Sequence, residues 1–218
     1  MKNSPLGIPA PPNFEPMHEA GMPFTHMVGD DTILSDMHFG KQEVSQVTIK
    51  YGTWHNCIFT ALKFRDCRFG NIQISDVRFE RCDLSNISFA GSSFCRVEFK
   101  GCRIMGTDIS EAAFTHVVFS ECNCRYANMS MSKMHSSLFS GCDMHGAVIE
   151  HCRLSESRFE RCDLGEADFS QTSLKGMDLR DSTVDGIIVN IPDLRGTVVT
   201  STQALVLSSL LGITVQDD

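Results

Sequence analysis

The run CIFTALKFRDCRFGNIQISDVRFERCDL, from Cys57 to Leu84, carries a large apolar residue at every fifth place: Phe59, Phe64, Phe69, Ile74, Phe79 and Leu84. Two places before each of these stand Cys57, Leu62, Cys67, Ile72, Val77 and Cys82. The charges fall on the places between. The pattern extends far in both directions. From Leu34 to Val199 every residue whose number ends in 4 or 9 is apolar, and none is Gly or Pro. Two places before these centres, most residues are Cys, Ser, Thr, Ala, Val or Gly. No insertion breaks the register.

A period of five is neither that of a helix nor that of a plain strand. Residues two apart share one face of an extended segment, so each unit buries a small and a large side chain together. The next inward residue comes three places later, and the chain must turn in between. The number of sides follows from a longer repeat. Phe39, Phe59, Phe79, Phe99, Phe119, Phe139 and Phe159 are 20 apart, and so are Cys82, Cys102, Cys122, Cys142 and Cys162. The heptapeptide RFERCDL occurs at Arg78–Leu84 and again, unchanged, at Arg158–Leu164. Four units per circuit predict an all-β, four-sided β-helix of roughly eight coils, about 40 Å long at a strand spacing of about 4.8 Å. Three regions follow: a Pro-rich tail or cap over residues 1–30, the solenoid over 31–199, and a terminal segment over 200–218.

The ends read differently from the middle. Six of seven prolines lie in residues 1–30, while Phe14 and Phe24 keep the register numbers. A mobile tail and a docked cap over the first coil both fit that pattern. At the other end, Thr200-Ser201-Thr202-Gln203 matches a capping box, an apolar run follows, and Gly212 marks a stop. A short helix and then a strand at Ile213-Thr214-Val215 are predicted. So apolar a helix buries more than one face: it caps the last coil, or a second subunit covers the remainder. Leu205, Leu207, Leu210, Leu211 and Ile213 are the expected dimer residues.

Composition narrows the chemistry. The formal charge is −8, with 27 acids against 19 bases. Such a chain lacks the broad basic surface that direct nucleic-acid binding uses. No apolar stretch is long enough to span a membrane, and residues 1–5 have no signal-peptide core; a cytoplasmic protein is expected. Of ten cysteines, Cys57, Cys67, Cys82, Cys102, Cys122, Cys142, Cys152 and Cys162 fall in the small inward slot, Cys124 is a large centre and Cys95 points outward. Buried free thiols behave as small hydrophobes. No His shares the interior, so no metal or other cofactor is expected. The eight histidines form no continuous row. No nucleotide loop, nucleophile elbow or metalloprotease motif is present, and a rod with a filled axis has no deep pocket. An enzyme is not expected. Met129, Met134 and Met144 beside Cys124 read as gap-filling core or as a softer joint.

Charge is uneven along the rod. Residues 30–115 hold 11 acids and 10 bases, and residues 116–200 hold 12 and 8. The outward acids of the later half include Glu150, Glu156, Glu160, Asp163, Glu166, Asp168, Asp178, Asp181, Asp185 and Asp193. An ordinary solvated surface and a charged rod that a basic groove accepts in place of duplex are the two readings of them.

Units such as Cys82-Asp83-Leu84-Ser85-Asn86, Cys162-Asp163-Leu164-Gly165-Glu166 and Ala167-Asp168-Phe169-Ser170-Gln171 resemble the pentapeptide-repeat signature. That resemblance, over residues 32–199, implies a right-handed quadrilateral β-helix. The tail Asp193-Leu194-Arg195-Gly196, Gln203-Ala204-Leu205 and Leu210-Leu211-Gly212-Ile213 resembles the end of the Qnr-type and mycobacterial fluoroquinolone-resistance proteins. Those relatives dimerise through this segment, imitate duplex DNA, and bind DNA gyrase or topoisomerase IV against poisons such as quinolones or natural toxins. The resemblance implies the same partners here, with the acids from Glu150 to Asp185 as the binding surface. This chain lacks the projecting loops that many Qnr-type members carry and is similar to the loop-free ones. The alternative is a non-catalytic scaffold with another protein partner.

Overall fold

The computed structural model describes residues 8–216. Every rung of the solenoid pairs in parallel with the residue 20 further on. The longest strands, Thr53–Thr60, Gln73–Glu80, Ser93–Lys100 and Ala113–Ser120, each cover two sides of the square. The other two sides are short strands such as Lys63–Arg65 and Arg68–Gly70 in the early coils, and isolated bridges such as Asp83↔Arg103 and Ser88↔Asp108 further on. Backbone groups are thus satisfied between coils, which a buried backbone requires.

The axis is filled. Phe79 and Phe99 stack with centroids 5.0 Å apart at 5°, Phe99 and Phe119 at 4.6 Å and 3°, and Phe119 and Phe139 at 4.5 Å and 2°. Phe94 and Phe114 make a second stack on the adjoining side. Parallel pairing forces this, because residues of equal rank lie directly above one another. The small inward slot has a second role that its size alone does not announce. Its Cys, Ser and Thr side chains donate to a carbonyl one coil below: Ser92 to Phe69 at 3.2 Å, Thr107 to Leu84 at 2.6 Å, Cys122 to Phe99 at 3.3 Å and Thr172 to Ile149 at 2.6 Å.

The corners follow a rule with few exceptions. At all but Lys41, Asp181 and Ile191, the residue two places after a centre from Leu34 to Leu194 holds a left-handed backbone. Gly91, Gly106 and Gly146 do so at φ 65–69°, and a long series of other residues, from Asp31 to Gln171, does so at φ 48–60°. At Gly146 a methyl group would meet the Tyr126 ring at 2.6 Å, so that corner needs glycine for space as well.

The solenoid makes about seven turns, one fewer than the run of centres suggests. Its last units relax around a 3-10 turn at Ile191–Leu194 that contains Pro192, and Leu194 and Val199 are only partly buried. The opposite end is closed by the chain before it. His18 and Glu19 pair with Met37 and His38, and Phe24 enters the axis with no exposed surface. Its ring stands edge-on to Phe39, Trp54, Phe59, Phe64 and Phe69 at 5.4–6.4 Å. Upstream, Asn13 N–H donates to Asp76 Oδ1 at 2.8 Å, Glu15 N–H donates to Asn56 Oδ1 at 3.1 Å, and Arg78 covers the Phe14 ring at 5.0 Å. Residues 13–24 are therefore a strap across the first coils, ending in a plug.

Helix α1 (Ser201–Ser208) starts with the expected capping box, in which Gln203 N–H donates to Thr200 Oγ1 and Thr200 N–H to Gln203 Oε1. The Gln203 amide also donates to the carbonyls of Leu179 and Ser182, fixing the helix to the coil beneath. A 3-10 turn, Ser209–Leu211, follows and ends at Gly212 with φ 72°. The strand expected at Ile213–Val215 does not form. Among the described residues, no strand pairs with that segment. No described helix is long and apolar enough to cross a membrane.

Candidate interaction surface

The outward acids of the later coils do not converge on one face. Taking each side by its centres, Glu150 and Asp168 belong to the side of Ile149 and Phe169, Glu160 and Asp178 to that of Phe159 and Leu179, and Asp163 and Asp185 to that of Leu164 and Val184. Glu156, Glu166 and Asp181 stand at three different corners. Several are already paired: Glu160 with Arg158 at 3.4 Å, Asp178 with Arg180 at 2.6 Å, and Glu166 with His145 at 3.3 Å. Arg180 hydrogen bonds hold the Asp178 carboxyl below its ordinary range. Exposed pairs of this kind add little to stability.

Asp163, Glu166 and Asp185 do come together. With His145, Thr183, Gly165 and Gly186 they line a shallow groove of about 440 Å³. Thr183 Oγ1 donates to Asp163 Oδ1 at 2.5 Å and Gly165 N–H donates to the same oxygen at 3.0 Å. These two bonds hold the Asp163 carboxyl below its usual range. The neighbouring coil adds Arg125, which lies 5.4 Å from the Tyr126 ring centroid and 3.3 Å from Asp143, and Tyr126 packs edge-on to His145 at 6.3 Å. Tyr126 and Arg125 were not singled out by sequence. An exposed aromatic at a corner position, with Gly146 at the same corner of the next coil, is the signal that marks them.

The C-terminal segment divides in two. Leu207 and Leu210 turn inward against the core, whereas Leu205, Leu211 and Ile213 are 56%, 57% and 53% exposed. Ile191, Leu194, Val199, Leu207, Leu210 and Leu211 border an apolar cleft of about 260 Å³ between helix and last coil. All ten cysteines are free thiols, and only Cys95 is not fully buried. Among the described residues, no three His, Cys, Asp or Glu side chains gather around a point that would hold a metal ion.

These features define a β-solenoid with a filled interior, its charged and exposed apolar side chains on the outer walls. Family comparison agrees with the register. A model for the pentapeptide repeat region matches residues 72–140, and one for eight copies of the pentapeptide repeat matches residues 142–181, together half of the chain. The chain belongs to the pentapeptide-repeat family. A search of curated proteins returns no match. Among solved structures it is similar to HetL of the cyanobacterium Nostoc, described as involved in heterocyst differentiation regulation (16% identity, 80% of this chain and 85% of that one, TM-score 0.49). It is also similar to a trypsin-treated variant of QnrB1, described as a plasmid-mediated fluoroquinolone resistance protein (23%, 86% and 99%, TM-score 0.42). Rfr23 of Cyanothece shows 15% identity over 75% and 91%, with a TM-score of 0.28.

Proposed function

We propose that this protein is a non-catalytic binding rod that pairs through its C-terminal segment and occupies the duplex-binding groove of DNA gyrase or topoisomerase IV, relieving a topoisomerase poison. The observation that carries the reading is the apolar surface of Leu205, Leu211 and Ile213 at the end of the rod whose coils carry most of the acid excess. An exposed apolar patch of this kind is the mark of an interface. The likeness of this tail to Qnr-type ends supports the same reading. Two rods joined there place acidic coils on both sides of the joint, the arrangement a long basic groove accepts. Complementary charge makes such binding fast and sensitive to salt.

The test is a gyrase supercoiling assay with the purified protein titrated in, with and without a fluoroquinolone or a natural poison. The reading expects altered supercoiling or fewer cleavage complexes, and weaker effects at higher salt. No change at micromolar protein counts against it. For the pairing, Leu205→Glu with Leu211→Glu gives a monomer by light scattering while the solenoid keeps its circular dichroism. A double variant that still runs as a dimer removes this seam.

A second reading, a scaffold for another protein, is favoured by the scatter of acids over three sides and three corners. A partner that embraces one side would then depend on the groove of Asp163, Glu166 and Asp185 and not on total charge. Replacing those three by their amides separates the readings: it abolishes binding in the second and only weakens it in the first.

A further inference from the structure

Five thiols stand in a row along the inside of the rod: Cys82, Cys102, Cys122, Cys142 and Cys162, each 1–2% exposed. Each lies 3.2–3.4 Å from a carbonyl of the coil below, and 3.4–3.7 Å from the carbonyl two places back in its own coil. The same two contacts at all five positions mean one side-chain conformation, so sulfur follows sulfur at the spacing of the coils. That spacing is measured three places earlier by the rings of Phe79, Phe99, Phe119, Phe139 and Phe159, at 5.0, 4.6, 4.5 and 5.0 Å. Half of it is the length of a metal–thiolate bond, about 2.3 Å for zinc. The side chains point across the axis while the line of sulfurs runs along it. A metal midway between two sulfurs therefore meets each nearly at right angles to its Cβ–Sγ bond.

We propose that this row is a binding site for a soft divalent d10 cation of the mercuric class, held in linear two-coordination between thiolates of neighbouring coils. Soft thiolates select such ions. Zinc is excluded by geometry, since it needs four donors around one point and the row offers two on a line. Charge selects the divalent ion over a monovalent one. Two S–H bonds break, two metal–sulfur bonds form, two protons leave to water, and the buried unit is neutral. A monovalent ion between two thiolates would leave a net negative charge among phenylalanines, at high cost. Ionising one thiol of a coupled row makes its neighbours hold their protons more tightly, so the ion must displace the protons and its uptake weakens as pH falls.

The test uses the full-length, reduced protein carrying Cys95→Ser, which removes the part-exposed thiol. Mercuric chloride is titrated in while the ultraviolet thiolate-to-metal absorption, proton release and circular dichroism are followed. The site expects two ions per chain taken up with two protons released per ion and an unchanged strand spectrum. Replacing Cys102, Cys122 and Cys142 by Ser leaves Cys82 and Cys162 four coils apart. Ser92, Ser132 and Ser157 already fill equivalent slots with the same bond to a carbonyl of the coil below, so this variant keeps the fold. It should lose both ions. Equal uptake by the triple variant, or uptake only as the strand spectrum collapses, would overturn the proposal.

Discussion

At the residue scale the corner position is the most constrained place outside the core. A left-handed backbone costs an ordinary L-residue roughly 1–2 kcal/mol and is worst for β-branched side chains. Met131 bears that cost at φ 58° with its side chain largely in solvent. Met131→Val should therefore lower stability by about 1–2 kcal/mol, and Met131→Gly should leave it equal or higher, as read by chemical denaturation. The same constraint is legible in the sequence. Among the places from Asp31 to Gly196 whose numbers end in 1 or 6, Ile191 alone is β-branched, and at Ile191 the chain leaves the solenoid for a 3-10 turn. Large centres were plain from hydrophobicity. The corner rule and the donor role of Ser92, Thr107 and Cys122 were harder to see, because each rests on a backbone angle or on a carbonyl in a different coil.

At the scale of elements, the strap shows how a proline-rich stretch can be ordered without regular structure. Its contacts are mostly to side chains of distant coils, so its own composition does not reveal them; only the register number of Phe24 hinted at the plug. Asp76 is its principal anchor. Burial opposes ionisation of that carboxyl, but hydrogen bonds from Arg96 and Asn13 N–H, with the charge of Arg96, outweigh burial and hold its pKa below the ordinary value. A depressed acid stabilises the docked state above its unfolded pKa, about 3.9, and the contribution is lost as pH falls below it. Amide protection of residues 13–19, corrected for the intrinsic exchange rate, should thus fall as pH drops below about 4. Asp76→Asn should dock the strap more weakly at neutral pH and respond less to acid. The absent strand at Ile213–Val215 teaches the converse: an alternating apolar segment needs a neighbour to become a strand, and among the described residues none pairs with it.

For the whole molecule, the register separates what lies close in sequence. Acids a few places apart, such as Glu160, Asp163 and Glu166, land on successive sides and corners, whereas Asp163 and Thr183 touch across a full circuit. The fold was legible because one short period governs it. The interaction surface was less so, since it depends on which of four sides a residue faces and on which charges are already paired. The same arithmetic makes length a stepwise quantity. Removing residues 121–140 takes out one circuit and should leave a folded rod shorter by about 4.8 Å, measurable by small-angle scattering. Removing 121–138 instead puts small residues such as Cys142 and Ala147 at the places of large centres and carboxylates such as Glu150 and Glu160 in the small inward slots, and should abolish folding. Since only whole circuits can be gained or lost without harm, unequal recombination within such a gene is filtered to steps of one circuit's worth of codons. The two copies of RFERCDL, four circuits apart, are then a ruler that reports how such a rod can grow.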